Sequence, residues 1–94
     1  MFEISRDAAG TIHLQGRLDA ASVGRARDFF TRVESSAPVD FSALDYIASV
    51  GLGVLVAAQR RLRDRGAGLR LTGLSPHLRE VLVLAGFEGI FDME

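Results

Sequence analysis

The sequence contains no cysteine, no lysine and no tryptophan, and only two of its 94 residues are proline. The absence of cysteine excludes disulfides, thiol nucleophiles and thiolate metal sites. Two isolated histidines cannot build a zinc site without help from carboxylates, so we expect no metal site. We also expect no cofactor. Eleven arginines are balanced by twelve acidic residues, so the chain has no excess of positive charge with which to bind a nucleic-acid backbone.

Long hydrophobic runs are also missing, although 48% of the residues are hydrophobic. The longest run, residues 50–58, is far shorter than the roughly 20 residues that a membrane-spanning helix requires. The first ten residues do not combine a basic segment with an apolar one, as a secretory signal does. We therefore expect a single domain over residues 1–94, a cytoplasmic location and no direct membrane insertion.

Hydrophobic spacing predicts an α/β domain with a small mixed sheet. Alternation at Phe2–Ile4 and Ile12–Leu14 is typical of two strands in an N-terminal hairpin. Further strands are predicted at Pro38–Phe41, continued by Leu44–Ile47, and at Leu69–Thr72. Since helical crossovers join parallel strands, we expect four to five strands with about three helices packed on them.

Three helices are predicted between these strands. The first carries an apolar stripe and is capped by Asp19 or Ser22; the stripe consists of Val23, Ala26, Phe30 and Val33. The second runs from Ser49 to Arg65. The third begins at Ser75, with proline in the first helical position, and ends at Gly86.

The second helix is apolar on two sides. A spacing of 100° per residue directs one side towards the sheet: Leu52, Leu55, Ala58, Gln59 and Leu62. The opposite side carries Val50, Gly53, Val54, Ala57, Arg61 and Asp64. Valines on that outward side lie either under another element of the same chain or in a docking patch for another protein.

Ser49 stands at the start of this helix, and Gly51 would let a partner backbone approach. One interpretation of the serine is an N-cap that stabilises the helix by about 1 kcal/mol. The other is a phosphorylation site, because a helix N-terminus favours a phosphate and the added charge would disrupt an apolar interface.

An enzyme is the least favoured class. The Gly51–Gly53 pair lacks the third glycine of a dinucleotide fingerprint, and a P-loop needs a lysine. His13 and His77 are expected to be solvated and far from Ser49, which excludes a catalytic triad.

Four segments together resemble STAS domains, the fold of sulphate-transporter tails and bacterial anti-sigma factor antagonists. They are Gly16–Asp19, Val39–Ser42, Tyr46–Leu55 and Ser75–Phe87. In the antagonist branch the resemblance implies docking on an anti-sigma factor that is also a serine kinase. It makes Ser49 the phosphorylated residue, with a serine phosphatase reversing the modification.

The resemblance and the outward side of the second helix together give a predicted partner-binding set of Asp19, Asp40, Ala48, Val50, Gly51, Gly53, Val54, Ala57 and Arg61. The resemblance places Asp19 and Asp40 at strand ends near Ser49. Phosphorylated members commonly have aspartate where this chain has Ala48. The alternative is a STAS subunit that docks on a membrane-transporter ATPase or a signalling scaffold without phosphorylation. We expect a monomer, while the same apolar face could pair two copies.

Overall fold

A five-stranded sheet organises the polypeptide in this computed structural model, which describes residues 1–94. The strands are β1 (Glu3–Arg6), β2 (Ile12–Leu18), β3 (Ala37–Ile47), β4 (Leu69–Thr72) and β5 (Asp92–Met93). The helices are α1 (Val23–Phe30), α2 (Ser49–Arg63) and α3 (Pro76–Leu84), and a 3₁₀ turn, Phe87–Gly89, precedes β5. None of the helices has the length and apolar composition needed to cross a membrane.

The strands lie in the sheet in the order in which they occur in the chain. A short turn joins β1 to β2, so this pair is antiparallel, whereas each later pair is parallel because a connection that contains a helix crosses between the strands. The prediction of a mixed sheet, entered through a hairpin and packed with three helices, is therefore confirmed.

One face of the sheet is buried and the other is open. On β2, Ile12 and Leu14 are fully buried, whereas His13 and Arg17 lie on the other face and contact water. The buried face and the inner sides of the helices form a single cluster of 22 apolar residues. Helix α2 therefore packs on the buried face of the sheet, and the open face exposes polar side chains to solvent.

Sequence signals mark the start of α3 and, to within two residues, the end of α2. The Ser75 hydroxyl accepts a hydrogen bond from the Leu78 N–H at 3.1 Å, which confirms the predicted cap of α3. Helix α2 ends two residues before its predicted limit. Gly66 follows with a φ of +75°, a left-handed conformation that glycine adopts without strain and that commonly ends a helix.

The predicted side-chain cap of α1 is wrong. Ser22 precedes the helix but makes no capping bond; its hydroxyl donates to the Arg17 carbonyl at 2.9 Å and accepts from the Asp19 N–H at 3.0 Å. The Asp19 carboxylate accepts from the Ala21 N–H. These short-range bonds hold the connection between β2 and α1. Val33 lies beyond the end of α1, yet it is buried.

Candidate functional site

The start of α2 is fixed where β2 and β3 end side by side. Leu18 pairs with Ile47 at the ends of the two strands, and the Ala48 N–H donates to the Leu18 carbonyl at 2.8 Å. Ala48 is the N-cap residue and Ser49 is the first helical residue. The cap position is thus occupied by an alanine, which has no side-chain acceptor, and the interpretation of Ser49 as the N-cap is wrong. The serine is instead exposed to solvent at the first turn.

Gly51 faces the sheet. A Cβ at this position would lie 2.7 Å from Leu18 Cγ and 3.0 Å from Ile47 Cγ1. The first of these distances is shorter than real Cβ contacts and the second is unusually tight, so glycine lets the first turn of α2 approach the strand ends closely. The expectation that Gly51 gives room to a partner backbone is therefore wrong, because the room is taken by the chain itself.

The outward side of α2 forms a low apolar ridge. Val50 is 47% exposed, Gly53 and Ala57 are exposed, and nothing lies within 4 Å of a Cβ built on Gly53. Together with Ser49 these residues make up what we call the α2 ridge: Ser49, Val50, Gly53 and Ala57. The ridge presents a hydroxyl and small apolar groups to water.

Val54 does not belong to the α2 ridge. It is only 6% exposed, and its predicted outward position is wrong, while Leu52, predicted as core, is only half-buried. At 100° per residue, both differences correspond to one rotation of the buried side by roughly 30°. Helix α1 causes this rotation, because it packs against α2 and brings Phe30 to the groove in which Val54 lies. Of the two valines, only Val50 remains open.

Arg61 is half-buried and engaged within the chain. Its Nη2 group donates to the Phe30 carbonyl at 2.5 Å and to the Val33 carbonyl at 2.9 Å. The Phe30 carbonyl also accepts from the Val33 N–H at 3.1 Å, so the guanidinium joins α2 to the turn that follows α1. The prediction that Arg61 contacts a partner directly is therefore corrected: its hydrogen bonds hold α1 against α2.

Asp19 lies close to the start of α2, as expected. It follows Leu18 directly, and the Leu18 carbonyl accepts the bond from Ala48. Arg17 Nε lies 3.8 Å from the Asp19 carboxylate, and the Arg17 guanidinium stacks 4.3 Å from the centre of the Tyr46 ring. The end of β2, beside the start of α2, thus carries a carboxylate near a guanidinium, and the guanidinium lies against an exposed aromatic ring.

Asp40 is not near Ser49, so its predicted place at a strand end is wrong. It lies within β3, seven residues before Ile47, which corresponds to roughly 20 Å of strand. On the open face it contacts His13, whose Nδ1 is 3.2 Å from the Asp40 carboxylate and whose Nε2 is 2.7 Å from the Asp7 carboxylate. His13 is thus held between two carboxylates and is not merely solvated.

The three groups shift one another's protonation. The hydrogen bond to Asp7 raises the pKa of the His13 imidazole, and the same bond lowers the pKa of Asp7. The pKa of Asp40 is lowered mainly by the Ser42 N–H, which donates to its carboxylate at 2.9 Å. The cluster joins the hairpin turn to β2 and β3. No group of three or more histidine and acidic side chains is arranged to hold a metal ion.

Sequence reasoning missed a shallow groove on one flank of the α2 ridge. Its wall consists of Leu52 and Val56, which lie four residues apart on α2, and Phe87, which the 3₁₀ turn brings alongside them. Ser49 and Arg60 lie at its edge. The spacing of Leu52 and Val56 is the signal that could have revealed this groove.

Comparison with the sequences of known proteins identifies the family of this chain. Residues 2–93 match the family described as "Mlab, STAS domain". A STAS-domain containing protein of Pseudomonas aeruginosa is 31% identical over 84 residues, which are 86% of this chain and 83% of that protein. BtrV of Bordetella bronchiseptica, named as an anti-sigma factor antagonist, is 43% identical over 53 residues, or 56% of this chain. The match spans 46% of BtrV, about half of its length.

Solved structures show the same fold. The anti-sigma factor antagonist SpoIIAA in its unphosphorylated form superposes with a TM-score of 0.75 at 21% identity, covering 100% of this chain and 87% of the other. The phosphorylated form of SpoIIAA, from Bacillus, gives a TM-score of 0.72 at 20% identity, covering 100% and 91%. The matched family spans nearly every residue, and the sheet order and helix positions agree with it. The chain belongs to the STAS domain family.

Proposed function

We propose that this protein is an anti-sigma factor antagonist that docks an anti-sigma factor with serine kinase activity through the start of α2. The observation that carries the proposal is the exposed Ser49 on the first turn of α2, next to the exposed Val50. Relatives named as anti-sigma factor antagonists support the choice of partner.

Ser49 is suited to reversible phosphorylation. Its Oγ attacks the γ-phosphorus of ATP and loses its proton, ADP leaves, and a phosphatase later returns the hydroxyl by hydrolysis. The first N–H groups of α2 and the positive end of its dipole stabilise the phosphate in the free protein. In the complex, the same dianion would lie against the apolar α2 ridge, where desolvation opposes binding. Phosphorylation would therefore release the partner.

Asp19, Ala48 and the α2 ridge form the contact surface in this proposal. Val50 supplies the exposed apolar contact, and the small side chains at Gly53 and Ala57 allow a partner to approach the helix closely. Gly51, Val54 and Arg61 act indirectly, since they set the position of the helix within the fold.

Mass spectrometry tests the modification. The chain is incubated with ATP and the candidate kinase encoded nearest to its gene, and its intact mass is measured. We expect one added phosphoryl group on the wild type and none on Ser49→Ala. Ser35→Ala, which changes another exposed serine, should be modified like the wild type. Equal modification of Ser49→Ala and the wild type would refute the assignment.

Calorimetry tests the switch. We expect Ser49→Asp to weaken binding of the anti-sigma factor by about tenfold or more, because a charge enters an apolar contact. Ser35→Asp adds the same charge elsewhere on the surface and should bind like the wild type. If both variants bind equally well, charge at Ser49 does not control docking.

A second candidate is docking on a membrane-transporter ATPase without phosphorylation. It is favoured by Ala48, which stands where phosphorylated members of the resembling branch commonly have aspartate. The same α2 ridge would form the contact. Co-purification of the tagged chain with an ATPase, together with an unmodified Ser49, would select this candidate over the first.

A further inference from the structure

An apolar groove lies between α1 and α2, on the flank of the α2 ridge opposite Phe87. It encloses about 560 Å³. Its floor consists of Phe30, Val54 and Ala58, which are buried against the core, and Val50 and Ala57 form its edge along α2. The groove is therefore continuous with the exposed ridge and offers a longer apolar surface than the ridge alone.

The charges around the groove have one sign. Arg27, on the last turn of α1, and Arg61 are among its nine lining residues, none of which is acidic. The six ion pairs of the structure involve neither arginine. Arg61 is occupied by backbone carbonyls, whereas Arg27 is exposed. The Arg27 guanidinium is thus free to pair with a carboxylate, which it can bind bidentately.

The length of the groove suits a helical segment. From Val50 to Arg61 there are eleven helical steps, or roughly 16 Å, which equals about three turns. An amphipathic helix laid in such a groove contacts it through positions i, i+3, i+4 and i+7. Its flanking positions then lie at the edges of the groove, where Arg27 stands.

We propose that this groove binds an acidic amphipathic helix of the partner protein, with its apolar side along Val50 and Ala57, above the floor of the groove, and a carboxylate on Arg27. The proposal rests on the proposed function, because it assumes a docking module, and it adds the chemistry of the segment that docks. The partner segment has leucine-type residues at helical spacing and aspartate or glutamate beside them.

Two labelled peptides test this chemistry. One is a ~16-residue helix with leucine at helical spacing and flanking glutamates, and the other carries lysine in place of each glutamate. Fluorescence anisotropy with the full chain should show about tenfold tighter binding of the glutamate peptide, because a carboxylate pairs with Arg27. Amide shifts measured by NMR should change at Phe30, Val54 and Ala57.

Matched variants locate the contact. Arg27→Glu should lower the affinity for the glutamate peptide about tenfold and raise that for the lysine peptide, with Arg27→Gln in between. Arg32→Glu makes the same change of charge at an exposed arginine outside the groove and should have little effect. Unfolding curves of each variant check that the fold is retained.

Four results would overturn the proposal: equal affinity for the two peptides, an equal effect of the Arg27 and Arg32 variants, amide shifts confined to another face, or displacement of the peptide by phosphatidylglycerol vesicles. If the peptide fails while the kinase still binds in a Ser49-dependent manner, only this inference is wrong. If the peptide binds in the groove and no anti-sigma factor does, the proposed function is wrong.

Discussion

A serine stands at the start of both α2 and α3, but the two serines have different roles in the fold. Ser75 caps α3, and its hydroxyl accepts a hydrogen bond from the Leu78 N–H. Ser49 follows the cap residue of α2, Ala48, and is exposed. The start of α3 is thus held by a polar side chain, whereas the start of α2 is held by packing on Leu18 and by the backbone.

This difference shows how a fold leaves a functional group free. A hydroxyl that caps a helix is already engaged with the backbone, so an enzyme could take it up only at the cost of its hydrogen bond. A helix fixed by close packing can carry a modifiable hydroxyl on its first turn at no such cost.

The largest loss of stability is expected for substitutions on the side of α2 that faces the sheet. Leu55 is fully buried, so Leu55→Ala should lower the free energy of unfolding by about 2–5 kcal/mol through loss of burial and an internal cavity. Val50→Ala, on the exposed side of the same helix, should change it by less than about 0.5 kcal/mol. Urea denaturation measures both. Similar losses for the two variants would mean that Val50 is also held by the fold.

The next largest changes in stability are expected for the two glycines of α2, Gly51 and Gly53. Gly51→Ala places a methyl group against Leu18 and Ile47 and should lower the free energy of unfolding by about 1–3 kcal/mol. Gly53→Ala has open space around the new methyl group and should raise it by roughly 0.5–1 kcal/mol, because alanine is the better helix former. A stabilising Gly51→Ala would contradict the view that packing fixes the start of α2.

The order of the elements from β1 to α3 could be predicted from the sequence because it depends on local patterns, whereas β5, with two residues, is too short to carry one. Alternation marked β1 and β2, and Ser75 with the following proline marked the start of α3. Ser49 was placed at the start of α2 in the same way. These signals are short in range and need no knowledge of neighbouring elements.

The errors concern facts that only tertiary packing decides. The side on which Val54 lies depends on where α1 packs, and helical spacing alone missed this by roughly 30°. The place of Asp40 depends on how far β3 continues beyond it and on its register with β2. Likewise, the contacts of Arg61 could not be predicted, because its acceptors are the backbone carbonyls of Phe30 and Val33, which the pattern of side chains does not reveal.

The two serines themselves give a smaller, more direct test. Ser75→Ala removes a side-chain cap and should lower the free energy of unfolding by about 1 kcal/mol. Ser49→Ala removes a hydroxyl that makes no capping bond and should leave it unchanged within about 0.5 kcal/mol. Thermal and urea unfolding of the two variants measure the difference. A loss at Ser49 as large as that at Ser75 would show that the hydroxyl is part of the fold after all.

The smallest effect on the free energy of unfolding is expected for the cluster of Asp7, His13 and Asp40 on the open face of the sheet. Like the Ser75 hydroxyl, these polar groups are already bonded within the fold. Because the pKa of His13 is raised, its contribution to stability is complete below its usual pKa of 6.5 and is lost as the pH rises through the higher value of the folded state. The two aspartates have lowered pKa values, so their contributions are present above 3.8 and are lost as the pH falls through the folded values.

The cluster should therefore stabilise the fold most between about pH 4 and 6.5, the interval between the unfolded pKa values of its carboxylates and its imidazole. We expect His13→Gln to remove part of the decline in unfolding free energy above pH 6.5, measured by urea denaturation at a series of pH values. His77→Gln, at an exposed histidine that forms no ion pair, should keep that decline. The same pH profile for both variants would mean that the contacts of His13 with Asp7 and Asp40 add nothing in solution. Ser75 and Ser49 would then be the only pair in which a bonded and a free polar group differ in their contribution to stability.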